Sequence, residues 1–248
     1  VRGQHRLESM RIEPVLTAHP TEAKRRSVLN HILRIGRTLE WLGGELGPRA
    51  RRALDPQIEA LWLTDEVRRR PITPAVEIEN VLSFFERTVY DLGGAFWETF
   101  CEELAGFDPG LAPPAPFLRF GSWVGADRDG NPSVTPETSL AAAQAHRRSI
   151  LDYYRRECGR LIGLLSLPAP RPALERRLRA ELQRDIRRFP ETRVFEGLDQ
   201  PKEYYRRKLR VMMWRLERTT GRAPGGYADA AEFVRDAASL KELLQQHP

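Results

Sequence analysis

The sequence predicts a predominantly α-helical fold with a few short strands, and three observations carry that reading. Apolar residues recur at steps of three and four along most of the 248 residues. Two short runs, 14–19 (PVLTAH) and 116–120 (PFLRF), lean towards strand, and each ends in a polar turn that opens a helix. The composition, 41% hydrophobic and 30% charged, is that of an ordinary globular chain long enough to bury a core without staples.

Taken in order, the first strand-like run precedes Val28, Ile32, Ile35, Leu39, Leu42 and Leu46. Their spacing of four, three, four, three and four puts one apolar stripe on a helix from about 22 to 46. Asp55-Pro56 reads as a cap with a first-turn proline, starting a helix through Ile58, Leu61 and Trp62 to Arg70, where Pro71 stops it. A third helix starts near Pro74 and carries Ile78, Leu82, Phe85, Val89, Leu92, Phe96 and Phe100 to about Leu104. Gly93-Gly94 is expected to weaken or bend it.

The second strand-like run leads to Thr135-Pro136-Glu137, which caps a helix to about Leu165. Three further helices are expected over about 172–189, 202–220 with Gly221 at the C-cap, and 229–246. The proline-stiffened connectors 112–116 and 167–172 are too short to separate domains, so 1–248 reads as a single helical unit.

Charge narrows the possible partners. The net charge is +6, and only Lys24, Lys202, Lys208 and Lys241 among the 40 basic residues are lysine, leaving 36 arginines. Arg-biased codon usage is the bland explanation, since most arginines alternate with Glu and Asp on helix faces. The sharper one is an anion-binding protein, because guanidinium forks match phosphate and carboxylate. Two cysteines, Cys101 and Cys158, are too few for a disulfide scaffold or a Cys-based zinc site and point to a reducing, cytoplasmic setting. No run approaches the roughly 20 apolar residues of a membrane span, and the first ten residues lack a signal-peptide core. The chain begins with Val and stops just after a helical pattern, which suggests a piece of a longer protein.

Two turns are the candidate sites, because residues just past a strand are where a strand-loop-helix unit of an α/β barrel places its chemistry. In the first, His19 follows a strand and precedes Pro20 and Thr21, which can start a helix, so the imidazole is expected beside free backbone N–H groups and the positive end of a helix dipole. Lys24, Arg25 and Arg26 extend the positive charge, although Arg25 and Arg26 point about 100° apart on a helix. The bland alternative is a capping or core histidine with a basic surface run.

The second turn is Gly121-Ser122-Trp123-Val124-Gly125-Ala126-Asp127-Arg128-Asp129-Gly130-Asn131-Pro132. A buried arginine there would need its flanking carboxylates. Asp127-x-Asp129-x-Asn131 fails as a calcium loop, because Pro132 stands at position six and Thr138 at position twelve. The bland alternative is an Asp/Asn/Gly turn with Trp123 in the core. The five histidines have no metal-ligand spacing, and there is no phosphate loop, GxSxG elbow or HExxH.

These two turns resemble the N-terminal signature motifs of the phosphoenolpyruvate carboxylase family, the first as Val15-Leu16-Thr17-Ala18-His19-Pro20-Thr21-Glu22 followed by Arg25-Arg26-Ser27. Lesser matches occur in order at Trp62-Leu63-Thr64-Asp65-Glu66-Val67-Arg68-Arg69-Arg70-Pro71-Ile72-Thr73-Pro74, Glu203-Tyr204-Tyr205-Arg206-Arg207-Lys208-Leu209 and Gly226-Tyr227-Ala228-Asp229. Ala126 stands where the family commonly has glycine, and Val124 where it has a larger apolar residue.

The resemblance implies that the strands belong to an incomplete α/β (TIM-type) barrel and that the natural protein is a homo-oligomer, tetrameric in the family. It implies carboxylation of phosphoenolpyruvate by bicarbonate to oxaloacetate and phosphate, with Mg2+ or Mn2+ held by a C-terminal part that this chain lacks. Bicarbonate would attack the phosphoryl group to give carboxyphosphate and the enolate, which then takes up the carbon dioxide released. His19 would stabilise carboxyphosphate, Trp123 would help form the bicarbonate pocket, and Asp127 and Arg128 would order that wall. Arg25, Arg26 and Arg68 would bind a phosphorylated activator near a subunit interface. This stretch alone is expected to be inactive. The alternatives are a stand-alone anion- or nucleic-acid-binding helical module, nucleic acid being the less expected partner, and a degenerate assembly or regulatory fragment.

Overall fold

A computed structural model describes residues 2–17, 25–43, 47–65, 72–114, 117–169, 171–200 and 202–246. It is 71% helical. A short first helix, α1 (Arg2–Glu8), leads to β1 (Val15–Leu16). Then come α2 (Arg26–Leu42), α3 (Pro48–Trp62), α4 (Pro74–Phe84), a π-helical turn (Phe85–Val89) and α5 (Tyr90–Phe107). After β2 (Gly121–Ser122) follow α6 (Pro136–Leu164), α7 (Pro172–Arg188), a 3₁₀ segment (Pro190–Gly197), α8 (Tyr204–Thr220) and α9 (Ala230–Gln245).

Three local readings are corrected. The second long helix starts at Pro48 and runs through Pro56, which is interior and not a first-turn proline. An interior proline removes one backbone hydrogen bond and costs roughly 3 kcal/mol. Packing on α2 carries the helix past it, with Gln57 donating to the Thr38 hydroxyl at 2.9 Å. The irregularity expected at Gly93-Gly94 falls one turn earlier, in the π-helical turn, while both glycines continue as α-helix. The second strand falls at Gly121–Ser122, the first two residues of the expected turn, while the run 116–120 holds only an isolated bridge at Leu118; Gly221 is the C-cap of α8, as its position predicts.

The described residues form two compact units, 1–143 and 144–248, and the division falls inside α6 and not at either proline-rich connector.

In unit 1, β1 and β2 are parallel, pairing Val15 with Gly121 and Leu16 with Ser122, with an isolated bridge between Ile12 and Leu118. Pro14 explains the break between bridge and strand. It has no N–H to give the ladder, so only its carbonyl takes part, accepting from Gly121 N at 3.0 Å. Phe117 ties the second strand to α5, its ring 4.9 Å from that of Phe100, and Phe120 meets Phe85 of the π-helical turn at 5.9 Å. Burying Phe117 contributes about 2–3 kcal/mol to holding that strand in place.

Unit 2 is a helical core in which Leu178, Tyr205, Leu209, Leu216 and Leu243 are almost wholly buried. Its α8 face also buries two cations. Lys208 Nζ lies 2.9 Å from Asp185 of α7 and 3.1 Å from Asp236 of α9. Arg215 reaches Glu232 at 2.6 Å and Asp236 at 3.1 Å, its guanidinium 3.8 Å from the Tyr227 ring centre. Asp229 caps α9, accepting from Glu232 N at 2.7 Å.

Candidate functional site

Both candidate turns leave the sheet at the same edge, because β1 and β2 run parallel and in register. The chain continues from Leu16 to Thr17 on one side and from Ser122 to Trp123 on the other. The Trp123 N–H donates to the Leu16 carbonyl at 2.9 Å, so the ladder extends into the second turn.

That turn is built by two inward and several outward residues. The Trp123 carbonyl accepts from the N–H groups of Ala126 and Asp127, both at 2.8 Å, while the Ser122 hydroxyl accepts from Val124 N at 3.2 Å. Val124 is buried. Gly125 has φ +80°, and a Cβ there would lie 2.8 Å from Ile78 Cδ1 and 2.9 Å from the Ala142 Cβ, so dihedral and packing both demand glycine. With Val124 and Gly125 pinned inward, Trp123, Asp127 and Arg128 face solvent.

Trp123 is 56% exposed, which overturns the reading of it as a core residue. Arg128 is exposed as well, so it is not a buried guanidinium held by its flanking carboxylates. Among the described residues neither Asp127 nor Arg128 makes a side-chain hydrogen bond or ion pair. Arg128 does act on the start of α6. The Thr135 hydroxyl and the backbone N–H of Glu137 hold the Glu137 carboxyl below the ordinary range, with the Arg128 charge helping. Thr135 also accepts from Thr138 N at 3.3 Å, the cap that its position predicts.

The first turn is only partly visible. His19, Lys24 and the start of the helix expected from about residue 22 lie outside the described residues, as does Arg68. Arg25 is the extended residue before α2 and donates to the Asp65 carbonyl at 3.2 Å. Arg26 turns instead to Glu79 of α4, at 3.9 Å. The two neighbours thus reach different elements, and not through a 100° helical step as expected, because Arg25 is extended and only Arg26 is helical. Both are exposed, and the long Arg26–Glu79 pair adds at most about 1 kcal/mol.

With the geometry in place, similarity to known proteins decides the family. The family model described as phosphoenolpyruvate carboxylase matches residues 2–246. The chain belongs to the phosphoenolpyruvate carboxylase family. It is 36% identical over 254 residues to the phosphoenolpyruvate carboxylase of Nitrosomonas eutropha, covering 95% of this chain and 26% of that protein. To that of Synechocystis sp. it is 34% identical over 241 residues, covering 88% and 22%. For Nitrosomonas europaea the identity is 35% over 262 residues, covering 98% and 27%. The chain thus spans about a quarter of the length of the relatives it matches.

Membership of the phosphoenolpyruvate carboxylase family covers both turns and also the buried ionic cluster of unit 2, which the sequence reading missed. The signal was available, since Lys208 and Arg215 share a helical face with Tyr205, Leu209, Met212 and Leu216. A cation at a core position announces a buried carboxylate partner, but periodicity does not say which. Burial pushes the Asp185 carboxyl up, against the pull of Lys208, while Asp185 and Asp236 together raise the Lys208 amine in spite of its burial. Glu232 is held down at about 2; burial opposes this, and the Ala228 N–H and Arg215 outweigh it. With Arg188 on Glu232 the charges of this cluster balance, so its role is to clamp α7, α8 and α9. The arginine excess is partly answered in the same way, by pairs such as Arg177–Glu242, Arg188–Glu232 and Arg210–Asp199. Among the described residues no helix is long and apolar enough to cross a membrane.

Proposed function

We propose that this chain is the part of a phosphoenolpyruvate carboxylase that supplies the catalytic histidine, His19, and the bicarbonate-side loop around Trp123. The supporting observation is the parallel register of β1 and β2, because it makes the chain leave both strands at one edge, three residues before His19 and one before Trp123. On this reading the two strands are neighbours in the α/β (TIM-type) barrel, whose C-terminal strand ends carry the chemistry. Residues 1–248 act as one piece of that enzyme, which works in the cytoplasm as a homo-oligomer.

The substrates are phosphoenolpyruvate and bicarbonate, and the products oxaloacetate and phosphate. Trp123, exposed at the strand end, gives bicarbonate an apolar wall that excludes water, and the unpaired side chains of Asp127 and Arg128 orient it. His19 holds charge on carboxyphosphate as carbon dioxide leaves, the enolate then taking up that carbon dioxide to give oxaloacetate. Arg25, Arg26 and Arg68 belong to a regulatory anion site and not to the reacting centre. The family's divalent cation, Mg2+ or Mn2+, would neutralise phosphoryl charge. Its ligands are expected in a C-terminal part of the enzyme that this sequence does not contain.

The test is steady-state oxaloacetate formation by the longest reading frame that contains this sequence. Trp123→Ala is expected to raise KM for bicarbonate at least tenfold with little change in KM for phosphoenolpyruvate, and His19→Ala to abolish product. An unchanged bicarbonate KM would remove the role assigned to the loop. The 248-residue chain alone is expected to give no turnover with magnesium; turnover lost in His19→Ala would disprove that expectation.

A further inference from the structure

Unit 2 contains a cleft of about 280 Å³ between α7, the 3₁₀ segment and α8, remote in sequence from both turns. Leu182, Phe195, Val211 and the ring of Tyr204 are its apolar lining, of which only Phe195 is more than marginally exposed, and polar groups make up most of its accessible wall. Such a volume, just under the roughly 300 Å³ at which ligand pockets begin, takes one small molecule and not a peptide.

Two guanidinium groups line it, Arg179 from α7 and Arg207 from the first turn of α8. Their state differs from that of the arginines around them. Arg206 is paired with Glu203 and Asp199, and Arg177 with Glu242. Among the described residues Arg179 makes no ion pair or hydrogen bond. Arg207 makes one hydrogen bond, to the Gln200 carbonyl at 3.0 Å, and its buried Nε has no acceptor. A buried donor without an acceptor calls for a partner. Glu196 is the single carboxylate lining the cleft, and it pairs with neither arginine.

Both cations act on one place. Burial and the Glu175 carboxylate raise the Tyr204 hydroxyl, and Arg179 and Arg207 each oppose that rise more weakly, so both guanidinium groups lie within reach of the Tyr204 ring edge, with Glu175 beside them. Arg207 also sits over that ring, 5.7 Å from its centre. The hydroxyl itself is engaged, donating to Glu175 at 2.9 Å, so Tyr204 contributes its ring and not a further donor.

We propose that this cleft binds a small organic anion, a phosphate or carboxylate on a compact apolar body, with the anionic group between Arg179 and Arg207 and the body on Leu182, Phe195 and Val211. Guanidinium forks fit both head groups, and the few exposed apolar atoms, chiefly of Phe195, give a compact body its one contact. None of these residues belongs to the two turns, so the proposal stands or falls separately from the carboxylase reading.

The test is calorimetric titration of the 248-residue chain with phenyl phosphate, benzoate and, as neutral control, phenol. Saturable binding of at least one anion is expected, and the arm that binds tighter names the head group. Arg179→Gln and Arg207→Gln should each weaken it by about tenfold to a hundredfold, the loss of one charge-assisted hydrogen bond. Arg177→Gln, on the same helix but paired elsewhere, should leave it unchanged, and circular dichroism should report the same helix content for all variants. The proposal is overturned if neither anion binds below about 10 mM. Phenol binding as well as the anions, or binding that survives in the Arg179→Gln/Arg207→Gln double variant, would overturn it equally.

Discussion

In unit 2 the apolar faces of α7, α8 and α9 close on one another, and Leu178, Tyr205, Leu209 and Leu243 are at most 1% exposed. In unit 1 the helices are equally well formed, yet α2 leaves Ile32 and Leu39 nearly half exposed, and Trp62 at the end of α3 is 87% exposed. Of the exposed large apolar side chains among the described residues, only Leu164, Val194, Leu198 and Val234 lie in unit 2. Amphipathicity, then, is one property and coverage another. A stripe of the right period guarantees a helix with two unlike faces, but only a neighbour removes the apolar one from water, and the free energy comes from that removal.

The largest test of this contrast is truncation. Leu178→Ala is expected to destabilise the chain by about 2–5 kcal/mol in urea unfolding, since a buried leucine leaves a cavity, whereas Leu39→Ala should stay within about 0.5 kcal/mol. Equal effects would mean that the uncovered stripe of α2 is in fact covered in solution. Next comes charge. Lys208→Ala leaves the largely buried Asp185 carboxylate without its cation and Asp236 with Arg215 alone, and should cost about 3–5 kcal/mol, against at most about 1 kcal/mol for Arg26→Ala at its exposed pair.

A smaller effect sharpens the comparison from the side of unit 1, where the second turn buries Val124 and Gly125. Gly125→Ala should cost about 1–3 kcal/mol by circular dichroism melting, through left-handed strain and the clash with Ile78 and Ala142. A neutral result would show that the turn does not rest on α4 and α6 as described.

The smallest effect is in pH. Glu232 titrates near 2 in the folded chain, below the ordinary carboxylate range, so the unfolded chain binds its proton first. Its contribution is fully present above about pH 4.5 and is lost as the pH falls from there towards 2. Asp185, raised by burial, acts with the opposite sign and offsets part of it. Glu232→Gln should therefore flatten the acid limb of the stability curve, and an unchanged limb would take the Arg215–Glu232 pair out of the account.

How much was legible in the sequence can be judged residue by residue. The helical stripes, the Thr135 cap and the first strand-like run were readable because each depends on neighbours within four positions, whereas the second strand falls at Gly121–Ser122, just past the run 116–120. Pro56 misled because first-turn and interior prolines look alike until the chain before them is seen to be helical, as Pro48 makes it. In the candidate site, Gly125 could be flagged as a glycine in a turn, but the need for glycine came from Ile78 and Ala142, one far upstream in the chain and both on other elements. Trp123 was readable as an aromatic at a strand end, while its exposure was not, because exposure is set by what Val124 and Gly125 dock against.

The sequence by itself determined the local order: which stretches are helix, where they are capped, and which two turns follow strands. It also determined the family, since long motifs in a fixed order are linear information. Only the tertiary structure decided that β1 and β2 are parallel neighbours, that Lys208 and Arg215 find their carboxylates on α7 and α9, and that Arg179 and Arg207 face one cleft. The physical reason is that hydrogen-bond ladders, ion pairs and clefts are pairings between distant positions. A one-dimensional pattern sets the faces a helix or strand can offer, and packing alone chooses which of them meet.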